Sequence, residues 1–71
     1  MPRLPRVSGS VTIRALEKLG FKKIRQAGSH VVLRRGSKGC VVPIHSELKV
    51  GTLAGILRQA DVSAEEFDNA L

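Results

Sequence analysis

Two histidines, one cysteine and a run of cations are the residues of this chain that can do chemistry. His30 lies in QAGSHVVLRR, residues 26–35, between a small polar turn and an apolar run that ends in Arg34 and Arg35. Imidazole titrates near neutral pH and can take or give a proton there. RNA carries its own nucleophile, the 2′-hydroxyl beside each phosphate. One well-placed base therefore starts internal cleavage without a metal, and a nearby cation stabilises charge building on the phosphate. That chemistry needs an exposed histidine held rigidly next to basic groups. The residue pattern alone leaves two readings open, because a lone histidine at a strand end is more often structural than catalytic. His45 follows Pro43-Ile44 and either joins His30 as an accessory acid–base group or accepts a loop hydrogen bond. Nothing in the sequence fixes the two side by side. His30, Cys40 and His45, at spacings of ten and five, match no standard zinc pattern, so neither a metal nor another cofactor is expected. Cys40 has no neighbouring base of a nucleophile pair and reads as a small core residue.

Lys22, Lys23, Arg25, Arg34, Arg35 and Lys38 provide six cations with no anion between the first and last. Such a cluster suits phosphates, and its affinity is largely independent of base sequence and falls with salt. Ser29 stands beside the histidine and can cap the turn or touch the RNA. The only aromatics, Phe21 and Phe67, do not interleave with the basic residues, so a base-stacking platform for single strands is disfavoured. Residues 1–49 carry a balance of +9 and residues 50–71 a balance of −3, which together make the net +6. A basic body of this kind points to a polyanion partner.

These groups must be held by few elements. Seventy-one residues make one domain with a thin core, and a chain of this size buries only about 60% of its unfolded surface. Function is therefore expected on an open face rather than in a deep pocket. One cysteine excludes an internal disulfide and fits a reducing compartment. There is no signal-like segment and no apolar run near the roughly 20 residues of a membrane helix. A soluble cytoplasmic protein without membrane partners is expected.

Residues 1–7, with Pro2 and Pro5, read as an extended arm. Val11, Ala15, Leu16 and Leu19 define one helical face from about Gly9 to Leu19, and Gly20 stands at the C-terminal stop. Phe21–Gln26 reads as a short basic strand, and Ala27-Gly28-Ser29 as a turn. His30–Arg35 is the clearest strand: Val31, Leu33 and Arg35 share one face, and His30, Val32 and Arg34 the other. Arg34 then lies roughly 13 Å from His30 by strand rise, better placed to position RNA than to touch the reacting phosphate. Gly36–Gly39 reads as a turn and Cys40–Ile44 as a third strand, with Pro43 marking its end. After a loop over 45–50, Leu53, Ile56, Leu57 and Ala60 make a second helix. Ser63 and Glu66 form a capping box, flanked by Val62 and Phe67, for a short helix over about Ala64–Ala70. The expected fold is α+β: an α-β-β-β-α order with a short C-terminal helix, the helices on one face of a three-stranded antiparallel sheet. This is the order of double-stranded-RNA-binding domains.

The stretches LEKLGFKKIRQAGSHVVLRR and VVPIHSELKVGTLAGILRQADVSAEEF resemble HicA-type toxins of the YcfA-like family. The GSH triplet, the VPxH stretch and the GTL…ILRQA helix occur in the family's order, and the likeness runs from about Pro5 to Leu71. The resemblance implies one compact double-stranded-RNA-binding-like domain and a ribosome-independent endoribonuclease acting on mRNA. It also implies a HicB-like antitoxin as inhibitory partner. The family's catalytic histidine lies in the GSH motif, which here assigns that role to His30. VPxH maps onto His45 without a catalytic role. Val50 stands where relatives often have proline ahead of GTL, and Ala54-Gly55 where some are more basic. The rival class is an RNA-binding module of the same fold without cleavage. A third is a protein-binding domain whose basic face docks an acidic partner.

Overall fold

A computed structural model describes residues 4–71. The element order is α1 (Gly9–Lys18), β1 (Lys22–Ala27), β2 (His30–Arg35), β3 (Lys38–Pro43), α2 (Val50–Ala60) and α3 (Ala64–Ala70). The strands form one antiparallel sheet in the order β1-β2-β3. The α-β-β-β-α order and α+β class expected from the sequence are what the chain adopts. The proposed arm begins outside the described residues. Its remainder, from Leu4, has no regular structure, and Leu4 and Val7 pack partly against the core.

Each helix starts and stops for a local reason. The Ser8 hydroxyl accepts from the Val11 amide at 3.1 Å and opens α1. Thr12, a buried polar side chain, donates to the Ser8 carbonyl at 2.9 Å and so keeps no unpaired group. Gly20 closes this helix with φ 98°, a left-handed conformation that glycine adopts without strain. The chain then turns so that Phe21 drops into the core, which is why β1 begins one residue later than the sequence predicts. α2 starts at Val50 with Lys49 at its N-cap and no side-chain cap, because a lysine side chain carries no acceptor for the first amides. It ends on Asp61 in the left-handed conformation. The capping box of α3 is complete, with Ser63 Oγ accepting from the Glu66 amide at 3.0 Å and Glu66 Oε1 accepting from the Ser63 amide at 3.1 Å. Val62 and Phe67, the residues flanking it, are both buried.

The two hairpins obey one rule. Ala27 pairs with His30 and Arg35 with Lys38, so each turn holds two residues, Gly28-Ser29 and Gly36-Ser37. Both glycines have φ 59°. Glycine at the first central position of a two-residue loop matches the right-handed twist of the strands. The second turn is thus shorter than the four residues read from the sequence, and β3 gains Lys38 and Gly39. In β1 the register slips between Lys23 and Arg25. This bulge leaves Ile24 exposed and disrupts the ladder of an edge strand that is exposed at every position, which discourages sheet extension.

The sheet's inner face supplies Val31, Leu33, Cys40 and Val42 to the core, opposite Leu16 of α1, Leu53, Ile56 and Leu57 of α2, and Phe67 of α3. α1 and α2 both pack on β3, and α3 contacts both helices. The decisive contact is at Gly9. A Cβ there would run into the Pro43 carbonyl oxygen and come within 3.0 Å of Ile44 Cα. Its amide instead donates to the His45 carbonyl at 2.9 Å, while the Leu48 amide donates to the Val7 carbonyl at 2.8 Å.

Gly9→Ala is expected to lower stability by about 1–3 kcal/mol, because the methyl meets backbone that cannot move aside; chemical denaturation of both proteins measures it. The hydrogen bonds from Ser63 hold the Glu66 carboxyl below its ordinary range. A depressed carboxylate pKa adds stability above the unfolded-state value and loses it as pH falls through the folded one. The thermal midpoint of the wild type should therefore drop more on acidification through the carboxylate range than that of Glu66→Gln.

Candidate functional site

The face of the sheet away from the helices carries the candidate chemistry. Period-two alternation places His30, Val32 and Arg34 of β2 on it, and antiparallel pairing adds their partners. His30 sits opposite Ala27 and Pro43; Val32 opposite Arg25 and Val41; Arg34 opposite Lys22 and Gly39. His30, Arg25, Arg34, Lys22 and Val41 are exposed, whereas Val32 and Pro43 are half-buried. No acidic residue occurs between Lys22 and Pro43, so the open face holds cations, an imidazole and small apolar side chains.

His30 occupies the first position of the central strand, directly after Gly28-Ser29. Its backbone is paired on both sides. One step earlier, the Ser29 carbonyl accepts from the Ile44 amide at 2.6 Å. The turn before the histidine is therefore fixed to the exit of β3, and Gln26 Nε2 donates to the Gly28 carbonyl at 3.1 Å within the same turn. Ser29 is exposed beside the imidazole. The imidazole is thus exposed on backbone that is hydrogen-bonded to its neighbours. Among the described residues no hydrogen bond orients its ring.

The six cations divide between the two faces. Lys22, Arg25 and Arg34 share the face of His30. Arg25 is the diagonal neighbour of His30, one pair along in β1, at about 7–8 Å between Cα atoms. Arg34 lies farther away, and its Nε reaches the Gly36 carbonyl at 3.4 Å. Of the three cations on this face, Arg25 is thus the nearest to His30 along the sheet, a proximity that only the strand register reveals. Lys23 is opposite Leu33, toward the helix side of the edge strand. Arg35 and Lys38, which face each other across β2 and β3, also lie on that side. Arg35 Nη1 donates to the Leu19 carbonyl at 2.6 Å, and its guanidinium stacks 4.7 Å above the centre of the Phe21 ring. It satisfies the C-terminal carbonyl of α1 and shields the core. Lys38 Nζ is 3.8 Å from Asp61 Oδ2.

His45 leaves β3 at the same end of the sheet, two residues after Pro43, the partner of His30. Its carbonyl is used by Gly9, and its exposed side chain helps line a cavity of about 280 Å³ with Pro43, Leu48, Lys49 and Thr52. The sequence does not disclose this cavity, because its walls come from the strand exit and from the start of α2. Burial pushes the Cys40 thiol up to about 11, so at neutral pH it is a protonated core residue rather than a nucleophile. No group of three or more His, Cys, Asp or Glu residues converges on a common point among the described residues. No helix described is long and apolar enough to cross a membrane.

No curated protein matches the chain. A family model described as "HicA toxin of bacterial toxin-antitoxin" matches residues 9–62, which span α1, the whole sheet with both Gly-Ser turns, and α2. The match covers the open face and the cavity beside it. The chain belongs to the HicA toxin family of bacterial toxin–antitoxin systems, and a cognate antitoxin is its partner.

Proposed function

We propose that the protein is an endoribonuclease that cleaves messenger RNA on the open face of its sheet, with His30 as the proton-transfer group. The observation that carries this reading is an exposed imidazole at a fixed strand end, on a face whose formal charges are all positive. Lys22, Arg25 and Arg34 hold backbone phosphates there. Arg25 is near enough to His30 to offset charge on the phosphate being cleaved. Ser29 offers a hydroxyl beside the histidine. The basic residues of the helix side, Lys23, Arg35 and Lys38, contribute only to the long-range field that draws in a polyanion.

The step draws on groups of the RNA, the protein and water. The unprotonated His30 nitrogen removes the proton of a 2′-hydroxyl, and O2′ attacks the adjacent phosphorus. The bond from phosphorus to the 5′-oxygen breaks as the bond to O2′ forms. The departing oxygen takes a proton from the imidazolium or from water. The products are a 2′,3′-cyclic phosphate and a 5′-hydroxyl. A HicB-type antitoxin is the inhibitory partner, and the cytoplasm, where mRNA is available, is the site of action.

One observation favours a second reading, RNA binding without cleavage: no described residue orients the His30 ring, whereas a general base is commonly held by a third group.

Incubation of purified protein with long RNA in EDTA separates the two. Wild type is expected to cleave, leaving 2′,3′-cyclic ends. His30→Ala should lose about 10²- to 10⁴-fold in rate while still binding RNA. Equal cleavage by both proteins would remove His30 from the mechanism. Absence of cleavage by wild type would favour the binding module.

The two-faced division of cations gives a further contrast. Arg25→Ala should change stability by less than about 0.5 kcal/mol yet reduce the slope of log affinity against log salt by about 0.7. Arg35→Ala should cost about 1–3 kcal/mol through the lost Leu19 bond and ring contact. Its RNA salt slope should stay unchanged. Denaturation and salt-titrated binding together check both.

A further inference from the structure

We infer that the cavity beside Pro43, bordered by His45, Lys49 and Thr52, is a second RNA subsite that holds a phosphate neighbouring the one at His30. The inference rests on the open face being an RNA-binding face.

Three observations carry it. The cavity adjoins that face directly. Pro43 is at once the cross-strand partner of His30 and a wall of the cavity, and directly paired residues lie only about 4.5–5.5 Å apart between Cα atoms. A strand with one phosphate at His30 therefore continues over Pro43 into this space. The cavity also offers suitable donors: the Lys49 ammonium, the Thr52 hydroxyl and the His45 ring, all on exposed residues. Among the described residues none of these three side chains takes part in an ion pair or a hydrogen bond. Finally, the backbone around it is fixed. The His45 carbonyl is held by Gly9, and the Leu48 amide by Val7, so the donors project from a framework that does not need to order on binding.

Glu47 also lines the cavity and opposes an anion. Its carboxylate lies 3.7 Å from Arg6 Nη1, which offsets its charge. With Lys49 and Arg6 against Glu47, the immediate surroundings remain net positive even when His45 is neutral. The apolar walls, Pro43 and Leu48, suit the sugar between two phosphates better than water. Open-face cations alone place every phosphate on one side of His30, toward Arg25 and Arg34. The cavity supplies a contact on the other side, and a strand held on both sides presents one chosen 2′-hydroxyl to the imidazole.

The test is RNA binding by the full chain carrying His30→Ala, with a fluorescein-labelled single-stranded RNA oligonucleotide titrated at several salt concentrations. In that background Lys49→Ala is expected to weaken binding on the order of fivefold and to reduce the salt slope by about 0.7, one phosphate contact. Lys49→Arg should restore both. Glu47→Gln should bind no more weakly than its parent, and more tightly at low salt. Lys18→Ala, which removes an equal charge from α1, is the control for net charge and should leave the slope unaltered. The inference is overturned if Lys49→Ala behaves like Lys18→Ala, or if the His30→Ala protein binds no RNA at all. Lack of cleavage by wild type, with these binding results intact, would sink the nuclease reading and leave the subsite standing.

Discussion

The close approach of Gly9 to the Pro43 carbonyl is the constraint from which the rest of the molecule follows. With no Cβ between them, the first turn of α1 rests directly on the exit of β3. That contact lets the Gly9 amide reach the His45 carbonyl, and nearby Val7 receives the Leu48 amide. On the other flank, Ile44 donates to Ser29. Helix layer, strand exit and first hairpin turn are thereby joined in one hydrogen-bonded corner. His30 and His45 both emerge from that corner. Their exposure is thus compatible with a fixed position, because the order resides in the backbone beneath them.

Much of this was readable in the residues, and the unread part has a common cause. Helix faces declare themselves through i, i+3, i+4 spacing, and Ala15, Leu16, Leu53, Ile56, Leu57 and Ala60 are buried where that spacing puts them, whereas Val11 stays half-buried and Thr12 and Ile13 take the inner face of α1 instead. The Ser63–Glu66 box is local chemistry and formed as read. The two faces of β2 were legible from alternation alone. Hidden from the sequence were relations between strands. The slip between Lys23 and Arg25 decides which cations of β1 share the histidine's face. Arg35 reads as one more cation of a basic run until the fold brings the Leu19 carbonyl and the Phe21 ring to it. The cavity at Lys49 and Thr52 is likewise a product of tertiary approach. Local signals specify elements; pairing and packing specify which charges meet.

The shortage of aromatic side chains bears on both halves of the design. Phe21 and Phe67 are both buried, and no other aromatic is available to the open face. The face is left with an imidazole, guanidinium and ammonium groups, and valines. On the proposed reading, such a surface would contact a charged backbone and offer little to distinguish one base from another. Substrate choice on it would then come from the shape and accessibility of the strand more than from contacts to base edges.

The two-residue length of the hairpin turns has a consequence for how this chain can change. A turn of fixed length sets parity: it determines which of two alternating sets of side chains looks outward. One residue added to Gly28-Ser29 with no bulge to absorb it would invert β2, sending His30, Val32 and Arg34 toward the helices and Val31 and Leu33 into water. The same alternation thus encodes the open face and the core. No gradual drift in turn length can exchange one for the other, since the step that misplaces the histidine also empties the interior.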